Sequence, residues 1–169
     1  TSSFTDNYGY NLYAGTISGP IIPGVEGQTI FLSAERGWFQ DADPTAIELS
    51  FPSIGKTYDS YQNNPAEVWR FSGKTNHRFG EFTVNLSGLY NDRTAKVIDY
   101  RYQKNNSRFN SEFDESNLSL NARLSQAVSA TTYWNFNAGY KMYDYERYNP
   151  FLGNQLELYG DAEYWEQNL

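Results

Sequence analysis

The chain has 169 residues, 18% of them aromatic, no cysteine and a formal net charge of −7. No run of about 18 apolar residues occurs, so no helix can span a bilayer, and neither a disulfide nor a thiolate metal site can form. The acidic balance argues against nucleic acid as a partner, because phosphate contacts need clustered Lys and Arg.

The length fits one domain, 1–169. A mean hydropathy of −0.71 excludes a helical membrane protein but not a β-barrel, in which only alternate strand residues meet lipid. The chain opens at Thr1, without Met and without a charged and apolar leader. The expectation is a processed chain or an internal piece of a longer one.

Residues 1–8 are polar and read as a frayed lead-in. A first strand is predicted over 8–17, with Tyr8, Tyr10, Leu12, Ala14 and Thr16 on one side. Ser18 to Gly27 holds two Pro and three Gly and must turn. A second strand follows over 28–39, with Ile30, Leu32 and Ala34 opposite Phe31, Ser33 and Glu35, and Trp38 and Phe39 at its end. Residues 40–65 are polar and irregular, an excursion loop in which Ala46–Phe51 reads as a short strand or a helical turn.

A third strand is predicted over 67–76, with Val68 and Arg70 on one side and Trp69, Phe71 and Gly73 on the other. A turn is placed at His77–Gly80. The fourth strand, 81–91, alternates Phe82, Val84, Leu86, Gly88 and Tyr90 with Thr83, Asn85 and Ser87. Residues 91–115 form a second excursion, with Ala95–Tyr102 as a strand continuation.

The clearest pattern spans 116–126 and 131–145. Its first arm sets Leu118, Leu120, Ala122 and Leu124 against Asn117, Ser119, Asn121, Arg123 and Ser125. Its second sets Trp134, Phe136, Ala138, Tyr140 and Met142 against Asn135, Asn137, Gly139 and Lys141. Strand side chains point to opposite faces in turn. This is therefore a hairpin with one apolar and one wet face, and its arms of about ten residues are long enough to cross a bilayer when tilted. Residues 146–160 form a third excursion, and Gln155–Trp165 reads as the start of another strand.

Short and long joints thus alternate along the chain. Outer-membrane barrels have short periplasmic turns and long extracellular loops. The predicted fold class is all-β: an antiparallel transmembrane barrel of outer-membrane type, six to eight strands of a larger barrel. Closed bacterial barrels need at least about eight strands, and an open edge in hydrocarbon leaves backbone groups unpaired. Trp38, Trp69, Phe71, Leu120, Trp134, Phe136, Tyr140 and Met142 are expected on the lipid face or its aromatic girdle. Asn85, Asn121, Arg123, Asn135, Asn137 and Lys141 are expected to face the lumen.

Several short motifs carry a family resemblance. Thr16-Ile-Ser-Gly-Pro-Ile-Ile-Pro-Gly24, followed by Thr29-Ile-Phe-Leu-Ser-Ala-Glu35, resembles the first barrel hairpin of TonB-dependent outer-membrane receptors. Leu124-Ser-Gln-Ala-Val-Ser-Ala-Thr-Thr-Tyr-Trp134 is similar to a later turn of that family, and Tyr159-Gly-Asp161 recurs in its long-looped members. The resemblance covers about residues 8–161. It implies a 22-stranded barrel with an N-terminal plug, importing scarce solutes with energy passed on by a TonB-type coupler. Plug and coupling segment are absent from these residues, and Leu169 stands where such barrels commonly end in an aromatic. The implied partners are membrane lipid or lipopolysaccharide, the remaining barrel and plug, the energy coupler and other outer-membrane subunits.

Two alternatives stay open: a complete small eight-stranded barrel with a structural or adhesive role, and a soluble all-β carbohydrate-binding or adhesion module using Trp38, Trp69, Trp134 and Trp165 as platforms. No nucleophile, zinc, P-loop or dinucleotide motif occurs, so no enzyme and no cofactor is expected. His77 lacks partner residues nearby in sequence and reads as a turn residue. Asp41 with Asp43, and Asp161 with Glu163, carry carboxylates at alternate positions, as calcium loops do. They lack the twelve-residue loop pattern and read as solvated.

Overall fold

The computed structural model describes residues 9–40, 49–58, 65–97 and 110–153, together with 155, 158 and 163. They form an all-β chain with eight strands: β1 Asn11–Pro20, β2 Gln28–Phe39, β3 Leu49–Phe51, β4 Lys56–Tyr58, β5 Ala66–Phe79, β6 Phe82–Lys96, β7 Glu112–Ala127 and β8 Tyr133–Tyr148. Six of them make one antiparallel sheet in the order β1-β2-β5-β6-β7-β8. Among the described residues β1 and β8 each have a neighbour on one side only, so the sheet is open. Strands β3 and β4 pair with each other in a separate two-stranded sheet around a 3-10 turn at Pro52–Ile54.

The joints at one end of the meander are short. Gly80 and Glu81 alone connect β5 to β6, and Gly80 has φ +59°. A two-residue hairpin turn needs this left-handed backbone, which costs glycine nothing. Val128–Thr132 connects β7 to β8, closed by the Val128 N–H donating to the Thr132 carbonyl at 2.9 Å. Residues 21–27 connect β1 to β2, where the Ile21 N–H donates to the Gln28 carbonyl at 3.0 Å. The opposite end carries the long connections, 40–65 and 97–111.

The strand limits differ from the sequence reading in informative ways. β5 runs on to Phe79, so His77 is not a turn residue. It pairs with Val84 and Gln28 and stacks parallel on Phe79 at 6.2 Å. The alternation continues through His77 and Phe79, and the break comes only at Gly80. The alternation of β1 alone leaves its faces unassigned. Register with β2 puts Tyr13 and Ile17 on the apolar face and Leu12, Ala14 and Thr16 on the other.

Strand β6 extends to Lys96; residues 98–102 of the expected continuation, like 41–48 and 59–64 of the first excursion, lie outside the described residues. Leu49–Phe51 is a strand, but it joins β4 rather than the large sheet. Of Gln155–Trp165, Leu158 and Glu163 lie in helical turns, not in a strand.

Very little of this chain is buried within itself. Among the described residues the buried apolar side chains are Ala66, Val68, Ala95 and Leu152, all at the long-loop end. Phe136 is 62% exposed, Tyr140 57% and Ile17 66%.

Candidate membrane-facing surface

Register assigns every strand residue to one of two faces. A row across the middle of the sheet reads Ile17, Leu32, Gly73, Gly88, Leu120 and Tyr140. The row towards the short turns reads Ile30, Thr75, Leu86, Ala122 and Ala138. The next two rows hold His77, Val84, Leu124 and Phe136, then Phe79, Phe82, Gln126 and Trp134. Towards the long loops the row reads Ala34, Phe71, Tyr90, Leu118 and Met142.

From the Phe79 row to the Phe71 row this face carries no Asp, Glu, Lys or Arg in any of the six strands. Between Phe71 and Phe79 strand β5 rises roughly 26 Å, or roughly 20 Å at the tilt of about 40° usual for barrel strands. Only with the Trp69 row, which carries Arg36, Asp92 and Asp144, does it reach the roughly 25 Å of an outer-membrane barrel's apolar band.

Aromatics border the band at both ends. At the short-turn end the Trp134 Nε1–H donates to Gln126 Oε1 at 2.9 Å, beside Phe79 and Phe82. At the long-loop end Trp69 stacks on Phe71 at 5.8 Å, and its Nε1–H donates to Glu67 Oε1 at 2.8 Å. Arg36 lies over the Trp69 ring at 5.4 Å and donates to the same Glu67 oxygen at 2.7 Å. An indole with an apolar body and a bonded N–H suits a boundary between hydrocarbon and water.

From the Trp69 row outwards the same face turns acidic. Glu67, Asp92, Asp114, Asp144, Glu146 and Glu112 stand there against Arg36 and Lys96. The hydrogen bond from Arg36 holds the Glu67 carboxyl below its ordinary value; burial opposes this, and the Trp69 N–H supports it. Farther along, Lys96 Nζ pairs with Glu112 Oε1 at 3.1 Å, and the Tyr148 hydroxyl donates to Glu112 Oε2 at 3.2 Å. Desolvation, with Asp114 and Glu112 adding repulsion, pushes the Tyr148 phenol up to about 12.

The opposite face is polar at the depth of the band. One row reads Thr29, Asn76, Asn85, Arg123 and Asn137; the next reads Lys74, Ser87 and Asn121; a third reads Ser33, Ser72, Ser119 and Lys141. Asn76 Nδ2 donates to Asn85 Oδ1 at 2.7 Å, and Asn135 Oδ1 accepts from Ser125 at 2.7 Å and from Arg123 at 3.1 Å. Arg70 pairs with Glu35. Phe31 and Leu89 are the large aliphatic or Phe side chains on this face within the band.

The fourteen residues singled out from the sequence therefore separate by face. Trp38, Trp69, Phe71, Leu120, Trp134, Phe136, Tyr140 and Met142 share the apolar one. Asn85, Asn121, Arg123, Asn135, Asn137 and Lys141 share the polar one. The sequence reading loses Phe79 to the misplaced turn, and it does not single out as site residues Phe82, read there as the first residue of the fourth strand's alternation, or the cations Arg70, Lys74 and Arg78 of β5. The alternation of β5 past Asn76 was the available sign.

At the centre of the apolar face Gly73 and Gly88 pair across strands. The δ2 methyls of Leu32 and Leu120 each lie 3.2 Å from where a Cβ on these glycines would stand. The shallow groove there, lined by Leu32, Leu86, Leu120 and Tyr140 among others, holds about 610 Å³.

Among the described residues no three His, Asp or Glu side chains come together to hold a metal; Asp41, Asp43 and Asp161 lie outside them. No described helix is long and apolar enough to cross a membrane, which says nothing of a barrel. Comparison with family models, with curated proteins and with solved structures gives no match.

Proposed function

We propose that this chain is wall from an outer-membrane β-barrel, with the Leu120–Phe136 face towards lipid and the Asn121–Lys141 face towards a water-filled lumen. One observation carries the reading: an apolar strand face without formal charge from the Phe79 row to the Phe71 row, over which none of the described residues packs. In a water-soluble protein such a face would need a second layer to cover it. Aromatic borders at both ends support the same reading. So do the two open edges, which ask for further strands because unpaired backbone groups are not tolerated in hydrocarbon. The sequence motifs extend the proposal to a TonB-dependent receptor, in which this wall and its long loops serve solute uptake or partner binding.

The topology gives the test. Pro150→Cys, on the long-loop side, should react with an impermeant thiol reagent on intact cells, and Ser129→Cys only after permeabilisation. Equal labelling of both positions in intact cells would contradict the proposal.

A further inference from the structure

The chain is acidic overall, yet its polar strand face is cationic. Across the six strands that face carries Arg70, Lys74, Arg78, Arg93, Arg123, Lys141 and Arg147 against Glu35 and Glu115. From the Phe79 row to the Phe71 row it carries no acid, and Glu35, one step farther towards the long loops, is already held by Arg70. Lys74, Arg78 and Lys141 have no ion pair and no side-chain hydrogen bond among the described residues, and Arg123 is bonded only to the neutral Asn135. Most strand acids stand on the other face, from the Trp69 row outwards. Net charge therefore hides two fields of opposite sign, separated by the sheet.

Unneutralised cations backed by a low-dielectric wall focus their field into the water beside them, and pores lined by Lys and Arg favour anions. The residues between them add hydrogen-bond donors suited to oxyanions: Asn76, Ser87, Asn121 and Asn137. Lys74 and Arg123 stand two strands apart, roughly 10–12 Å, a gap that two long side chains can close around one multiply charged solute. We infer that the polar face binds small soluble polyanions bearing several phosphate or carboxylate groups, with Lys74, Arg123 and Lys141 as their contacts. The inference rests on the barrel reading for the lumenal setting of that face.

The full-length protein purified in detergent micelles is titrated calorimetrically with inorganic tripolyphosphate and, as the cationic counterpart, spermine. Tripolyphosphate should bind, more weakly as salt is added, and spermine should not bind to this face. The pair Lys74→Gln and Lys141→Gln should weaken tripolyphosphate by roughly five- to tenfold, the scale of two exposed charge contacts. Neither side chain makes a bond whose loss would disturb folding. Asp114→Asn with Asp144→Asn, on the other face, should leave the affinity unchanged. Absence of tripolyphosphate binding, or binding indifferent to the two lysines, overturns the inference.

Quenching of Trp134 fluorescence by brominated acyl chains in the same micelles is read alongside. Quenching without anion binding removes this inference and leaves the barrel reading standing. Anion binding lost with the two lysines, but without quenching, supports the cationic site and removes its lumenal setting.

Discussion

The two faces of one sheet share every backbone hydrogen bond and differ only in which side chains point which way. One has no formal charge from the Phe79 row to the Phe71 row; the other is lined by Asn, Ser, Lys and Arg at the same depth. The difference teaches where the free energy of this wall comes from. Neither face builds a core inside the chain, since Ala66, Val68, Ala95 and Leu152 are the buried apolar side chains among the described residues. Stability must come from the sheet ladder together with two different surroundings, one for each face.

The largest effect should come from breaking the asymmetry at its centre. Phe136→Arg places a cation in the middle of the apolar face and should destabilise the protein in bilayers by about 2–4 kcal/mol. Asn135→Arg, its neighbour on the polar face, should be close to neutral. Denaturant unfolding of both variants in lipid vesicles measures the contrast, and equal costs would mean that both faces meet the same medium.

A smaller effect tests a polar atom left unpaired on the apolar face. The Thr75 hydroxyl is buried between Ile30 and Leu86 without a hydrogen-bond partner. Thr75→Val removes that polar atom at constant shape and should stabilise by about 1 kcal/mol in the same unfolding measurement. Destabilisation would show that the hydroxyl is paired in the membrane.

The boundary beyond Trp69 sharpens the comparison with pH. Glu67 is held below the ordinary 4.5. Its contribution is therefore intact above that value and is lost as pH falls through the lowered one. Arg36→Ala should remove this acid-side dependence at a cost of about 0.5 kcal/mol at neutral pH. Tyr148 shifts the other way, from 10 up to about 12. Its contribution is intact below pH 10 and is lost as pH rises towards 12. Tyr148→Phe should flatten the stability profile on that alkaline side, and an unchanged profile would place its shift elsewhere.

What could be read from the sequence followed the strength of its period-two pattern. β7 and β8 alternate cleanly because every apolar residue from Leu118 to Leu124 and from Trp134 to Met142 falls on one phase, and the face assignment there needs no tertiary information. β1 carries apolar residues on both phases, Leu12 and Ala14 against Tyr13 and Ile17. Only its register against β2 decides which phase joins the apolar face. The end of β5 is not legible because His77 and Arg78 look like turn residues, while the backbone turns only at Gly80, with φ +59°. The β3–β4 hairpin lies in a polar stretch too short for any period to register. The cationic polar face was invisible to net charge, which adds together two surfaces that the fold holds apart.

Spin-label accessibility along β8 tests the central claim most directly. The chain has no native cysteine, so single Cys substitutions from Tyr133 to Met142 can each carry a nitroxide without background. In lipid vesicles, labels at 134, 136, 138, 140 and 142 should collide readily with oxygen and poorly with a water-soluble nickel chelate, and those at 135, 137, 139 and 141 should do the reverse. Equal access of the chelate to both sets, with no two-residue period, would contradict a wall with lipid on one side and water on the other.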